Sequence, residues 1–414
     1  MRSSTFATLS NQKRLSIRYP TANEKKRGIS TERMKILAIS HSCVVAQYQK
    51  RMAEVAGYPD VELTLLVPKY WFQFNKNVML EKGRDDHYRI VSIQPITWGM
   101  RGKGLRNVTH IYSGMKRILE EIKPDIVELW EEPFSGVTAH TIFWAKRIVP
   151  KAKVIFFSAQ NILKRYPFPF STFENYTYRN AQFAFLMNRE VAEVVRGKGY
   201  EKNFTILPLG VDTDIFCKKD ASLLKKEIGL GDFVIGFIGK ITQQKGILDL
   251  IEAVSRIDEK IQLLIIGNGD LREEVERRMD LLGLGQKTVI MDGIPHSRVP
   301  DYLNCMDLLV FPSVTVPHLK EQFGRVIVEG MACEVPVIGS DSGQIPGTIG
   351  KAGLIFKETD VRDLREKIAT LMNDQNLRTV LARKGRKRVL GNFTWKVIAK
   401  KQYQVYRELM SKEQ

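Results

Sequence analysis

Phe311-Pro312-Ser313, followed after a short gap by Glu321-Gln322-Phe323-Gly324-Arg325-Val326-Ile327-Val328-Glu329-Gly330-Met331-Ala332, decides the reading of this 414-residue chain. An apolar strand ends at Phe311, a loop runs to Glu321, and a helix begins near Gly324. That spacing sets one carboxylate at the helix mouth and a second about two turns inside. Unpaired amides at a helix start, together with the positive end of its dipole, form an anion site suited to a diphosphate. Glu329 is then placed to accept both hydroxyls of a ribose, and Glu321 to accept hydroxyls of a second sugar. Taken alone, two glutamates eight residues apart read better as an ordinary N-terminal Glu and a buried Glu capping a neighbouring loop.

The surrounding pattern shifts that balance. Upstream, Gly239-Lys240-Ile241-Thr242-Gln243-Gln244-Lys245-Gly246 follows a β-branched run at 233–238. Two lysines flanking a tight loop at a strand tip can neutralise a departing pyrophosphate without a metal. Ile265-Ile266-Gly267-Asn268-Gly269-Asp270 adds a glycine turn after another strand, but lacks the third glycine of a dinucleotide fingerprint. A dehydrogenase reading is therefore weak.

Working outward, short β-branched runs alternate with helical periodicity along most of the chain, which predicts parallel sheets wrapped by helices. Strands are expected at 35–39, 61–67, 125–129, 153–157 and 183–187, with helices at 44–56, 105–122 and 135–147. The pattern restarts near Pro208-Leu209-Gly210-Val211-Asp212. Further strands are expected near 233–238, 261–266, 287–291, 307–311 and 335–339, with helices near 246–257, 270–282 and 324–333. Residues 360–412 read as two or three basic helices. The expected fold is α/β: two doubly wound, Rossmann-like lobes facing a central cleft at the carboxyl ends of their strands. The expected division is a basic extension at 1–33, an N-terminal lobe at 34–207, a C-terminal lobe at 208–392, and a closing helix at 393–414 packed back on the first lobe.

These motifs, taken in order, resemble the retaining glycosyltransferases of family 4, which have the GT-B fold. The family pattern is G-R/K-x(4)-K-G, a G-x-G turn, P-S, E-x-F-G-x(4)-E-x-M-A and P-V-I-x-S. Here it is met by Gly239, Lys240, Lys245, Gly246, Gly267, Gly269, Pro312, Ser313, Glu321, Phe323, Gly324, Glu329, Met331, Ala332, Pro336, Val337, Ile338 and Ser340. The resemblance runs from Met34 to about Trp395 and is strongest over 233–356. It implies that Lys240 and Lys245 bind the donor diphosphate, that Glu321 meets the donor sugar, and that these three form the catalytic set. Backbone amides from Phe323 through Gly324 to Arg325 would hold phosphate, Glu329 the ribose, and Gly239 and Gly267 would line the donor site.

The first lobe resembles the acceptor-binding half of that family. Glu131 and Glu132 follow one strand, Gln160 and Asn161 another, and His41 lies in the first strand–helix loop, so all five are expected at strand tips facing the cleft. Departures from the family are plain: Ser40-His41-Ser42-Cys43-Val44 has no Gly-Gly pair, and no His stands near Gln160. Asp212-Thr213-Asp214 spells a metal-binding D-x-D elsewhere, but its turn-rich setting reads as a routine Asp turn. No resident metal or cofactor is expected. The partners expected are a nucleotide-diphosphate sugar and a glycan or lipid-linked acceptor.

The chain is 43% hydrophobic and 27% charged, enough to bury large cores, and carries a formal net charge of +18. That balance suits an acidic partner: phosphorylated ligand, anionic membrane or nucleic acid. No nucleic-acid motif accompanies it, so nucleic acid is not expected, and peripheral contact with an anionic membrane is the better reading of Arg383-Lys384-Gly385-Arg386-Lys387-Arg388. Otherwise such a run is a solvated helix face. No apolar run nears the roughly 18 residues of a membrane span. The four cysteines lie far apart without a C-x-x-C, which fits a reducing cytoplasm. Residues 1–33 hold eight basic and two acidic side chains without an apolar core, and read as a disordered extension or as preceding the working start. Rings cluster at 70–74 and follow Lys164 and Arg165 at 164–170, as in sugar- or membrane-facing loops, with core-edge packing an even alternative. Two other functions fit less well: a non-hydrolysing nucleotide-sugar epimerase of similar architecture, and a non-catalytic basic protein binding lipid or nucleic acid.

Overall fold

The computed structural model describes residues 33–411 apart from 74–75, 82, 84–86, 99–104, 232 and 258–260. The basic extension at 1–32 and Phe74 of the aromatic run thus lie outside the described residues. Two all-parallel sheets form the cores of two lobes. The first holds β1 (Met34–Ile39), β2 (Val61–Val67), β3 (Arg89–Ser92), β4 (Ile126–Leu129), β5 (Lys153–Ser158), β6 (Phe183–Leu186) and β7 (Phe204–Ile206), in the order β7-β6-β5-β4-β1-β2-β3. The second holds β8 (Val234–Ile238), β9 (Gln262–Ile266), β10 (Thr288–Met291), β11 (Leu308–Phe311), β12 (Val337–Ser340) and β13 (Leu354–Phe356), in the order β10-β9-β8-β11-β12-β13. Each order reverses beside its first strand, which creates the switch-point crevice where ligands of such sheets bind. The central strands are Val-, Ile- and Leu-rich because both faces are covered by helices; Ile36, Leu37, Ala38 and Ile39 have no exposed surface.

The helices that shape the cleft are α1 (Ala46–Ala56), α2 (Arg189–Gly197), α3 (Ile247–Ser255), α4 (Arg325–Ala332), α5 (Gln375–Asn392) and α6 (Trp395–Ser411). In α3, Ile247, Leu250, Ile251 and Val254 lie on the buried stripe, as their spacing predicts. Three helices fill 361–411, and the last returns across the molecule to α1. Its anchor is a buried network. Arg51 donates to Glu128 at 3.1 Å and to Gln402 at 3.0 Å, Gln402 and Tyr406 donate to Glu128, and the Arg51 guanidinium lies 3.3 Å over the Trp130 ring.

Two expectations fail on local grounds. Residues 105–122 are not one helix. A four-residue turn of helix ends at Thr109, His110–Ile111 pair with Ile96–Thr97 as a small sheet, and Gly114 in the left-handed region starts a separate helix at Met115. Nor is the basic run at 383–388 a uniformly solvated face. Arg386 donates to the carbonyls of Phe216 and Ala332 at 2.8 and 2.7 Å, and Arg388 to those of Thr348 and Gly347 at 2.8 and 2.7 Å, so these two tie α5 to the core of the second lobe.

Candidate active site

The carboxyl ends of β8, β9, β11 and β12 converge on one spot in the second lobe. The loop after β8 zips onto the β11 exit: Val314 N–H donates to the Gln244 carbonyl at 3.0 Å. Gly246 adopts φ +63°, and a Cβ there would sit 1.9 Å from the Pro312 carbonyl oxygen, so only glycine closes this turn. Gly267 is equally constrained, because its Cβ would fall 1.8 Å from the Gly239 carbonyl oxygen. The glycines expected at the donor site thus let its two loops touch.

Lys245 and Glu321, 76 residues apart, meet there with Nζ 2.7 Å from Oε2. The other oxygen of Glu321 accepts the Gly324 amide at 2.9 Å and the Phe323 amide at 3.4 Å. Burial pushes this carboxyl up, but the Lys245 charge and these donors outweigh it and hold Glu321 below its ordinary value. Lys245, Glu321, Lys320, Gln244, Ser313 and Leu319 line a cavity of about 120 Å³. The amides of Phe323 and Gly324, expected to face phosphate, are here engaged by the chain's own Glu321 carboxylate.

The other expected donor residues divide. Glu329 is buried inside α4, and its Oε1 lies 2.7 Å from His296 Nε2. His296, which no sequence pattern singles out, packs at a tilt against Phe216 with ring centroids 5.1 Å apart and sits 3.4 Å from Gln47 of the first lobe. Lys240 is exposed and touches neither glutamate among the described residues. The Phe323 ring packs in the core against Phe393, and the Arg325 guanidinium lies 4.9 Å over the Tyr48 ring of α1.

The lobes meet directly over this spot. Asn161 donates to the main-chain oxygen of Glu321 at 3.2 Å and to Glu190 at 3.0 Å, Asn188 donates to the Gln322 carbonyl at 2.7 Å, and Lys320 pairs with Glu190 at 2.8 Å. Asn188 also caps α2 by accepting the Val191 amide, which holds that helix start at the interface. Asn161, expected on the acceptor side, is therefore part of the bridge to the Glu321 loop of the second lobe. Gln160 spends its side-chain carbonyl on Ile162 N–H at 3.1 Å, a local turn.

The remaining acceptor-side residues turn inward. Glu132 accepts Ser158 Oγ–H at 2.7 Å and Ala159 N–H at 2.9 Å, stitching the tip of β4 to that of β5. Burial dominates its surroundings and pushes its carboxyl up to about 7, the Ala159 and Ser158 donors offsetting part of the rise. It is a structural clasp, not an open acceptor contact. Glu131 is buried and accepts the His41 backbone N–H at 2.7 Å and its ring Nδ1–H at 2.6–2.8 Å. Burial raises its carboxyl, but His41 and His110 outweigh that and hold it at about 2. Asp212 Oδ1 accepts Asp214 N–H at 3.0 Å, an Asp turn, and Oδ2 pairs with Lys50.

With this geometry in view, residues 219–388 match the family described as glycosyl transferases group 1. Over these residues the chain is similar to that family. Among curated group 1 relatives it is 33% identical over 210 residues to the capsular polysaccharide biosynthesis glycosyltransferase CapM of Staphylococcus aureus, a match covering 48% of this chain and 53% of CapM. The chain thus spans about half the length of the curated relatives it matches. Solved structures extend the likeness in fold to both lobes, and the fold is GT-B. Sucrose-phosphate synthase from Thermosynechococcus elongatus superposes with a TM-score of 0.69 at 20% identity, covering 92% of this chain and all of that one. HepE of Anabaena in complex with UDP superposes with a TM-score of 0.68 at 17% identity, covering 91% of this chain and all of that one. Among the described residues no helix is long and apolar enough to cross a membrane.

Proposed function

We propose that this protein transfers a hexose from a nucleotide-diphosphate sugar to a hydroxyl of a glycan or lipid-linked acceptor, with retained anomeric configuration, in cell-surface polysaccharide synthesis. The observation that carries the reading is the Lys245–Glu321 pair at the mouth of α4, with Glu329 inside the same helix. A diphosphate entering this berth replaces the Glu321 carboxylate as the anion facing Lys245 and the Phe323 and Gly324 amides. Glu321 then turns to sugar hydroxyls, and Glu329 exchanges His296 for the ribose. Lys240, exposed on the same loop, closes on the outer phosphate oxygens. The bond from sugar C1 to the phosphate oxygen breaks with its electrons passing to the diphosphate. The acceptor oxygen bonds to C1 on the same face, and its proton passes to the departing phosphate oxygen.

In this scheme positioning and stabilisation of the leaving charge carry the catalysis, without an enzymic nucleophile and without a metal at the diphosphate. The UDP held by HepE supports the donor class, and the capsular polysaccharide role of CapM supports the pathway class. A cytoplasmic position at the membrane surface fits a lipid-linked acceptor; Leu163 and Phe168, 66% and 83% exposed, flank Lys164 and Arg165 on one loop and supply a surface for it. The test is turnover and thermal stabilisation with UDP-, GDP- and ADP-sugars, each with and without membrane extract as acceptor. Folded protein that neither binds nor turns over any of them rejects the proposal, and product formed without acceptor favours epimerisation.

A further inference from the structure

A second chemical constellation lies in the first lobe, at the tips of β1 and β4. His41 follows β1, Glu131 follows β4, and His110 arrives on the small sheet formed by 96–97 and 110–111. The potential ligand atoms of His41, His110 and Glu131 all lie within 4.8 Å of one another. Trp71 walls them in, its ring 5.0 Å from that of His41 and 4.9 Å from that of His110.

Two features of this cluster bear on what it can hold. His110 is fully buried, and its Nδ1 lies 3.2 Å from the Arg106 carbonyl, an atom that only accepts, so Nδ1 carries the proton. Its Nε2 faces Glu131 Oε1 at 3.8 Å, beyond hydrogen-bond reach, and has no hydrogen-bond partner among the described residues. Secondly, the Glu131 carboxylate is buried while no lysine or arginine pairs with it among the described residues. The nearby Tyr112 hydroxyl is likewise buried and unpartnered there. A buried imidazole nitrogen and a buried carboxylate oxygen that face each other beyond hydrogen-bond reach leave room for a cation between them, and buried charges are paired or bind metals.

We propose that His41, His110 and Glu131 bind one divalent transition metal of the zinc class. Two imidazoles and one carboxylate make the ligand set that such ions take with one position left open. The His110 Nδ1–H bond to a backbone carbonyl is the outer-shell contact that orients a metal-ligating histidine. On binding, the metal replaces the Nδ1 proton of His41, which that ring then carries on Nε2. His41 keeps 20% of its side-chain surface exposed, so the open position faces the accessible side of the cluster, where water or an acceptor hydroxyl completes the coordination. Binding here is independent of the donor-site reading, because the cluster lies in the other lobe.

The test is titration of the chelator-stripped full chain with Zn²⁺ and with Co²⁺, read by calorimetry and by Co²⁺ visible absorption, beside the variants His110→Ala, Glu131→Gln and the exposed-histidine control His87→Ala. One equivalent is expected to bind. Glu131→Gln and His110→Ala are each expected to weaken it by about 100-fold or more, as loss of one ligand from a three-ligand site requires, while His87→Ala leaves it unchanged. A Zn²⁺-induced shift of the His110 Nε2 resonance in the unsubstituted protein locates the ion even where His110→Ala fails to fold. Stripped, folded protein that binds neither ion overturns the proposal, as does binding that both ligand variants leave intact or that leaves His110 Nε2 unmoved.

Discussion

Replacing Lys245 by alanine tests the centre of the functional reading. The ammonium and the Glu321 carboxylate are 24% and 15% exposed, which puts the pair between a surface ion pair, worth at most about 1 kcal/mol, and a buried one, whose rupture costs about 3–5 kcal/mol. A charge-assisted hydrogen bond in that setting contributes about 1.5–3 kcal/mol. Lys245→Ala is expected to destabilise the second lobe by that amount. Nucleoside diphosphate affinity should fall roughly 10- to 100-fold, since each 1.4 kcal/mol is a factor of ten. Adding Glu321→Gln removes the carboxylate left without its counter-charge and should return part of the lost stability, giving a coupling of about 1 kcal/mol or more in a double-mutant cycle. The pH dependence has a definite sign. Because Glu321 is held below its ordinary value in the fold, its stabilisation is present above about pH 4.5 and is lost as pH falls through the folded value. The Lys245→Ala variant should lose less over that interval. Denaturant titration at pH 7 and pH 4, with calorimetric UDP, GDP and ADP binding, reads all of these. Unchanged affinity for every nucleotide in the folded variant, or strictly additive single effects, would refute the reasoning.

Other consequences follow from the same geometry. Glu132→Gln keeps the Ala159 N–H satisfied and reverses the Ser158 contact, with the amide N–H donating to the hydroxyl oxygen, while removing a carboxyl held at about 7; the stability gained should be small at pH 5 and rise to about 2–3 kcal/mol at pH 8, measured by urea unfolding, and an equal gain at both pH values would contradict the assignment. Arg51→Ala leaves Glu128 buried without its counter-charge and should cost about 3–5 kcal/mol, with limited proteolysis first releasing α6 from α1. Arg386→Ala removes three bonds to carbonyls of the second lobe and should cost about 2–4 kcal/mol, whereas Lys384→Ala should stay within about 0.5 kcal/mol; equal effects on melting would mean that the basic run is a solvated face after all.

Local sequence carried the architecture because periodicity reports burial. The runs that became β1, β2, β8 and β9 are almost continuously apolar, interrupted only by Lys35, Glu62 and Gln262 near their starts and by the buried Thr64, as strands covered on both faces are. The short edge strands β3, β7 and β13 were not legible, since partly exposed edges lose that apolar continuity. The break at Gly114 was hidden by helix-compatible flanks, and with it went His110, which reads as one more residue of a long helix.

Spacing within one element, such as Glu321 at the mouth of α4 and Glu329 inside it, follows from the 3.6-residue turn and was decided by the sequence. What stands opposite each side chain was not. Lys245 against Glu321, His296 against Glu329, Asn161 beneath the Glu321 carbonyl and the His41–His110–Glu131 cluster join residues far apart along the chain. Those meetings depend on which parallel strand tips end side by side and on how the two lobes close. A chain's hydrophobic pattern records neither, because it encodes how deeply a residue is buried, not what it is buried against.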